Sequence, residues 1–131
     1  MSSLEIIPPG APLRLSPESS GFAHGFGLFE TMRLRGGRIE SWEAHWRRLS
    51  ASAETLGLAC PFQAREVLDA VKALARQLPA EATVKLSLLR EGASSRLLVY
   101  TRPLNALPEK IGLLMEAPCR IDESSPLAGH K

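Results

Sequence analysis

The sequence predicts an α+β fold in which an antiparallel sheet carries two adjacent helices on one face. Three observations lead to this prediction. Residues 28–34, 83–90 and 96–101 alternate between apolar and polar side chains, as half-buried strands do. Two longer segments, residues 42–56 and 63–78, repeat apolar side chains at helical spacing. The connections between consecutive strands are short, which favours antiparallel pairing.

The first elements in chain order are strands. A lead-in rich in Pro, Ser and Gly contains one predicted short strand at residues 4–7. The alternation at residues 28–34 then predicts a strand with one face made of Leu28, Glu30, Met32 and Leu34. Gly36 and Gly37 predict a tight hairpin turn into a short partner strand around residues 38–40.

The two helices follow. Ser41 is the predicted N-cap of the first, because a serine side chain there can accept a hydrogen bond from a first-turn N–H. Gly57 predicts the end of this helix, whose apolar stripe consists of Trp42, Trp46, Leu49, Ala53 and Leu56. The second helix follows Pro61 and ends before Pro79. We expect Trp46 and Leu49 to be buried and Arg47 to be exposed.

The last predicted elements are strands. Val84, Leu86 and Leu88 share one face of the strand at residues 83–90, and a further alternating segment at residues 111–116 predicts one more strand. Residues 121–131 have the polar composition of a loop.

The composition indicates a soluble globular domain. Of 131 residues, 44% are hydrophobic and 23% are charged, with a net charge of +2. The arginines are scattered, so a nucleic-acid-binding module is the least supported function. No apolar run approaches the ~20 residues of a membrane helix. The first residues contain no basic region followed by an apolar run, so we expect no secretory signal. Cys60 and Cys119 are far apart, which argues against a disulfide scaffold or a zinc site. We therefore expect a cytoplasmic protein.

Three segments contain residues that could carry chemistry. The first has three glycines, at positions 21, 25 and 27, directly before a strand. In the second, His45 and Arg48 lie on one helix face, where a guanidinium could bind a phosphate. The third ends with Lys131, whose amine could form a Schiff base with an aldehyde. Taken singly, each has an ordinary explanation: a tight turn, a solvated helix face and a terminal tail.

In combination, the segments resemble a known family. The chain contains GFxxGxGLFETMR, then HxxRL, then SLLRE and finally SPLAGHK, in this order. This series resembles the class IV family of pyridoxal-phosphate enzymes, which includes branched-chain aminotransferases, D-amino-acid aminotransferases and 4-amino-4-deoxychorismate lyases. The resemblance extends from about residue 4 to residue 131.

The resemblance implies roles for individual residues. Lys131 would form the Schiff base with pyridoxal 5'-phosphate and later move the substrate proton, and Arg48 would contact the cofactor phosphate. Glu30 belongs to a strand that lines the active-site wall in the family, and it is expected to bind the substrate together with Arg90 and His24. Arg90 matches an arginine near the substrate carboxylate, and His24 stands where the family often has a tyrosine.

Some positions depart from the family pattern. Ser19 and Ser20 replace a frequent Asp-Arg pair, and Phe26 occupies a position that is often acidic. These departures affect the substrate side and leave the matches to the cofactor in place. In the family a second domain follows the lysine, so residues 1–131 are expected to be the N-terminal domain of a two-domain homodimeric enzyme with a small-molecule substrate.

Two classes of function stay open on the sequence. The preferred one is an enzyme, with a 4-amino-4-deoxychorismate lyase slightly ahead of an amino-acid aminotransferase because of the short lead-in and the GLFETMR form. The other is a non-catalytic domain that mediates subunit contacts.

Overall fold

The computed structural model describes residues 1–102 together with residues 104 and 124. It confirms the predicted α+β fold class. The elements in chain order are β1 Ser3–Ile6, α1 Ser20–Ala23, β2 Gly27–Arg35, β3 Arg38–Ile39, α2 Trp42–Thr55, α3 Ala64–Ala75, β4 Glu81–Glu91 and β5 Ser94–Arg102. The predicted strand at residues 111–116 lies outside the described residues.

The described strands form one five-stranded sheet in the order β1-β5-β4-β2-β3. The pairs β2–β3, β2–β4 and β4–β5 are antiparallel, as predicted from their short connections. β1 differs, because it lies parallel to β5 at the edge of the sheet. The connection from β1 to β5 spans most of the chain, so the rule for short connections does not apply to this pair.

The core lies between one face of the sheet and the two long helices. The alternation in β2 and β4 places their apolar side chains under α2 and α3, whose buried residues include Leu49, Val67, Val71 and Leu74. Arg47 is exposed, as predicted. Trp46 is only half-buried, so the prediction that it is buried is wrong: it packs against the core and stacks on Trp42, with ring centroids 5.8 Å apart. Both helices cover the same face of the sheet, as predicted.

The helix boundaries differ from the prediction in two details. α2 begins directly after Ser41, but the Ser41 side chain makes no capping hydrogen bond, so that part of the prediction is wrong. The reason is conformational: Ser41 has a φ of 54° in the left-handed region, whereas a capping side chain needs an extended N-cap residue. α3 ends at Ala75, three residues before the predicted end, and a turn completes the segment.

Within the part of the chain that the structure describes, we find no helix with the length and apolarity needed to cross a membrane.

Candidate active site

Glu30 is a buried carboxylate in the middle of β2. The alternation of β2 directs it to the same face as Leu28 and Met32, toward the helices, and it is 1% exposed. An unpaired charge at such a position would be strongly destabilising, because burial removes its hydration. Glu30 therefore needs partners of opposite charge or hydrogen-bond donors.

Two residues of α2 supply those partners. Arg48 donates from Nε to Oε1 of Glu30 at 2.6 Å and from Nη2 to Oε2 at 2.5 Å, which is a bidentate fork. His45 Nδ1 lies 2.7 Å from Oε2, and because an ionised carboxylate only accepts, this nitrogen carries the proton. The spacing of three residues on a helix brings both side chains to the same face. The polar face of α2 thus contacts β2. The explanation that this face is only solvated surface does not apply.

The three residues form one electrostatic unit. Burial would raise the pKa of Glu30, but hydrogen bonds and charge from Arg48 and His45 outweigh burial and lower the pKa below its usual value. The hydrogen bonds that Arg48 donates to Glu30 in turn raise the pKa of Arg48. Glu30 is therefore ionised at neutral pH, and Arg48 is held in one orientation.

Arg48 retains donors that face away from Glu30. A guanidinium has five N–H groups, and the fork uses two of them. The Arg48 side chain is 47% exposed, whereas its partner Glu30 is 1% exposed. The outer donors could therefore bind an oxyanion such as a phosphate, with the guanidinium already oriented before the anion arrives.

Arg90 and His24 lie together at a different place, beside the glycine-rich loop that leads into β2. The Arg90 guanidinium carbon is 5.9 Å from the centroid of the Phe26 ring, and the His24 ring meets the same ring edge-on at 6.3 Å. The backbone N–H of Arg90 donates to the Phe26 carbonyl at 3.0 Å. Phe26 thus connects the two residues that the resemblance assigns to the substrate side.

Glycine is required where this loop contacts β4. A Cβ atom on Gly27 would lie 2.9 Å from the Leu88 carbonyl oxygen, and one on Gly21 would lie 2.9 Å from Leu89 Cβ. Both distances are shorter than normal contacts, so larger residues would push the loop away from the strand. The glycine pattern therefore indicates close backbone approach, which fixes the loop next to Arg90. Residues 20–23, which include Gly21, form the single turn of α1, which the sequence did not predict.

The structure thus groups the predicted site residues into two clusters. Glu30 and Arg48 contact each other, whereas His24 and Arg90 share Phe26, and Lys131 lies outside the described residues. Among the described residues, Glu30 contacts Arg48 and His45, which favours a role in positioning Arg48. That Glu30 binds the substrate stays a prediction. His45 was absent from the predicted site. The sequence does indicate such a partner, because a lone acid on an apolar strand face needs hydrogen-bond donors from the helix that covers it.

Replacing Glu30 with glutamine is expected to lower the free energy of unfolding by about 1–3 kcal/mol at pH 7, because the charged hydrogen bonds to Arg48 and His45 are lost. The folded-state pKa of Glu30 is lowered, so its contribution is complete above the unfolded-state pKa. The contribution is lost as pH falls through the folded-state value. The difference between the two proteins should therefore shrink below about pH 4.

Urea unfolding at several pH values measures this effect. Glu81→Gln is the matched control, because Glu81 also pairs with an arginine but is exposed. The expected loss in the control is much smaller at every pH. Equal losses of unfolding free energy in both variants would show that burial does not strengthen the contacts of Glu30 with Arg48 and His45.

Comparisons with known proteins give consistent results. The family model described as amino-transferase class IV matches residues 27–131. A bifunctional aminodeoxychorismate lyase / D-amino acid transaminase of Mycobacterium tuberculosis is 42% identical over 57 residues, which cover 44% of this chain and 19% of the relative.

Solved structures show the same similarity. A hypothetical aminotransferase from Mycobacterium tuberculosis, determined in a PLP-bound form, has a TM-score of 0.66 and 30% identity over 76% of this chain and 37% of its own. The 4-amino-4-deoxychorismate lyase from Pseudomonas aeruginosa has a TM-score of 0.64 and 29% identity over 77% of this chain and 40% of its own. This chain therefore spans well under half the length of these relatives.

Proposed function

This chain belongs to the class IV amino-transferase family, and from that premise we propose that it forms the N-terminal domain of an enzyme that uses pyridoxal 5'-phosphate to act on an amino group. In this proposal the enzyme has two domains, and its second domain lies outside residues 1–131. The relatives with solved structures support this division, because the part they share with this chain is less than half of their length.

The Arg48–Glu30 fork is the observation that carries the proposal. It presents a half-exposed, pre-oriented guanidinium whose remaining donors match a phosphate, so the residues present fit the cofactor. Arg48 would bind the phosphate, while Glu30 and His45 would hold Arg48 in place. Glu30 also balances the positive charge of Arg48, so recognition would depend on the direction of the donors as well as on charge.

Lys131 would hold the cofactor covalently and then move a proton at the amino-bearing carbon of the substrate. When bound, pyridoxal 5'-phosphate supplies an electron sink for the bonds to that carbon. Arg90 and His24 would face the substrate, and the exposed Arg90 guanidinium could pair with a substrate carboxylate.

Within the family we propose 4-amino-4-deoxychorismate lyase activity, which releases pyruvate and gives 4-aminobenzoate. The similarity to the Pseudomonas aeruginosa lyase and to the bifunctional Mycobacterium tuberculosis relative supports it. Transamination is the second candidate. It is favoured by the similarity to the hypothetical aminotransferase and by the second activity in the name of the bifunctional relative.

An assay for two products separates these activities. The protein made from its natural reading frame is expected to release pyruvate and 4-aminobenzoate in equal amounts from 4-amino-4-deoxychorismate, with no 2-oxo acid present. The Lys131→Ala variant controls for spontaneous breakdown of the substrate. Amino transfer from a D-amino acid or a branched-chain amino acid to 2-oxoglutarate, without pyruvate release, would favour the second candidate.

A protein that shows neither activity and no cofactor absorbance would instead support the non-catalytic domain. The proposal also includes a homodimer that works in the cytoplasm, and the mass of the cofactor-loaded protein in solution tests the oligomeric state.

A further inference from the structure

A groove lies between the β2–β3 hairpin, the start of α2 and the end of α3. Its volume is about 310 Å³, and its lining residues are Gly37, Arg38, Ile39, Trp42, Glu43, Leu68, Lys72 and Ala75. An adjoining hollow of about 280 Å³ adds Arg76 to the lining. Glu30, His45 and Arg48 do not line either space, so the groove is distinct from their contact.

The groove has an apolar floor and a positively charged rim. Ile39, Trp42, Leu68 and Ala75 are buried or half-buried and form the floor. Arg38, Lys72 and Arg76 are exposed at the rim, together with one carboxylate, that of Glu43. Among the described residues, these three cations make no ion pair with Glu43 or with another acid. The rim thus carries an excess of positive charge that is not neutralised by pairing.

We propose that this groove binds a small amphipathic organic anion, with an aromatic ring or short aliphatic body on the floor and a carboxylate at the rim. The volume lies at the lower end of small-molecule cavities, which begin at about 300 Å³, so it suits a compact ligand. Burial of the apolar body of the ligand against Trp42 and Leu68 would favour binding. The unpaired cations favour a carboxylate over a neutral head group of the same size.

Isothermal titration calorimetry with 4-phenylbutyrate tests the proposal on the cofactor-loaded protein made from its natural reading frame. The uncharged amide of the same acid is the matched ligand control. We expect saturable binding of the acid, at least tenfold tighter than that of the amide, with an affinity that falls as salt is added. Equal binding of the two ligands, or binding that does not saturate, would overturn the proposal.

Variants assign the binding to the groove. Ala75→Phe fills the space over the floor and is expected to abolish binding of the acid, while leaving the cofactor absorbance unchanged. Lys72→Gln combined with Arg76→Gln should weaken binding roughly tenfold. Arg65→Gln removes an exposed charge from the opposite end of α3, outside the groove, and should have no effect.

Circular dichroism checks that each variant folds, and if Ala75→Phe does not fold, the double variant decides the question. Retained binding in a folded Ala75→Phe protein would contradict the assignment. So would equal weakening in the double variant and in Arg65→Gln. These outcomes are independent of the catalytic assays, because the readout is binding of the acid and not turnover of a substrate.

Discussion

Borohydride reduction of the protein made from its natural reading frame is expected to fix pyridoxal 5'-phosphate onto Lys131 and onto no other lysine. A Schiff base forms only from an unprotonated amine, whereas a free lysine has a pKa of ~10.4. The reactive lysine must therefore lie where burial or nearby positive charge favours the neutral form. Peptide mapping after reduction identifies the labelled residue.

The structure describes two lysines, Lys72 and Lys85, and we expect neither to be labelled. Lys72 is exposed on α3. Lys85 lies on the outer face of β4, with its ammonium 4.4 Å from the centroid of the Phe29 ring in a cation–π contact. The variant Lys131→Ala should lose the label completely, whereas Lys85→Ala should keep it. A label on Lys85, or on no lysine, would overturn the proposed site and the proposed use of the cofactor.

Residues 1–131 alone are expected to stay colourless with micromolar cofactor, while the protein with its second domain turns yellow. In the family the second domain supplies much of the cofactor pocket, and on the proposal its residues lie outside this sequence. Absorbance spectra of the two proteins at equal concentration measure the difference. A yellow 131-residue protein would show that the N-terminal domain binds the cofactor by itself.

Arg48→Ala is expected to weaken cofactor retention roughly tenfold to a hundredfold, because a hydrogen bond to a charged group contributes about 1.5–3 kcal/mol. Arg47→Ala removes the same charge from the next position, but Arg47 faces solvent and should have little effect. Equilibrium dialysis of the cofactor measures both variants. Equal effects would mean that Arg48 does not contact the phosphate.

The Glu30 contact complicates a single substitution at Arg48. Arg48→Ala also leaves a buried carboxylate with fewer partners, which lowers stability independently of the cofactor. The double variant Arg48→Ala with Glu30→Gln removes that unpaired charge. If Arg48 binds the phosphate, the double variant should regain stability in urea unfolding but should still lose the cofactor. Recovery of both would show that Arg48 acts only through folding.

Much of the fold was predictable because its signals are local. The alternation of Leu28, Met32 and Leu34 reports the two-residue period of a strand, and the structure confirms which face is buried. The stripes of α2 and α3 report the helical period in the same way. Gly36 and Gly37 both have positive φ values, as the predicted hairpin turn requires. Each of these signals depends on neighbouring residues alone.

Contacts between distant segments were decided by the tertiary structure. The sequence placed Glu30 on one strand face and Arg48 on one helix face, and it indicated that Glu30 needs donors without identifying which residues supply them. Local periodicity fixes which side of an element is apolar and leaves the partner of that side open. The parallel pairing of β1 with β5 is a similar case, because it joins residues more than ninety positions apart, such as Ser3 and Arg96. In both cases the contact forms where helices and strands pack into one layered core, which buries their apolar faces together.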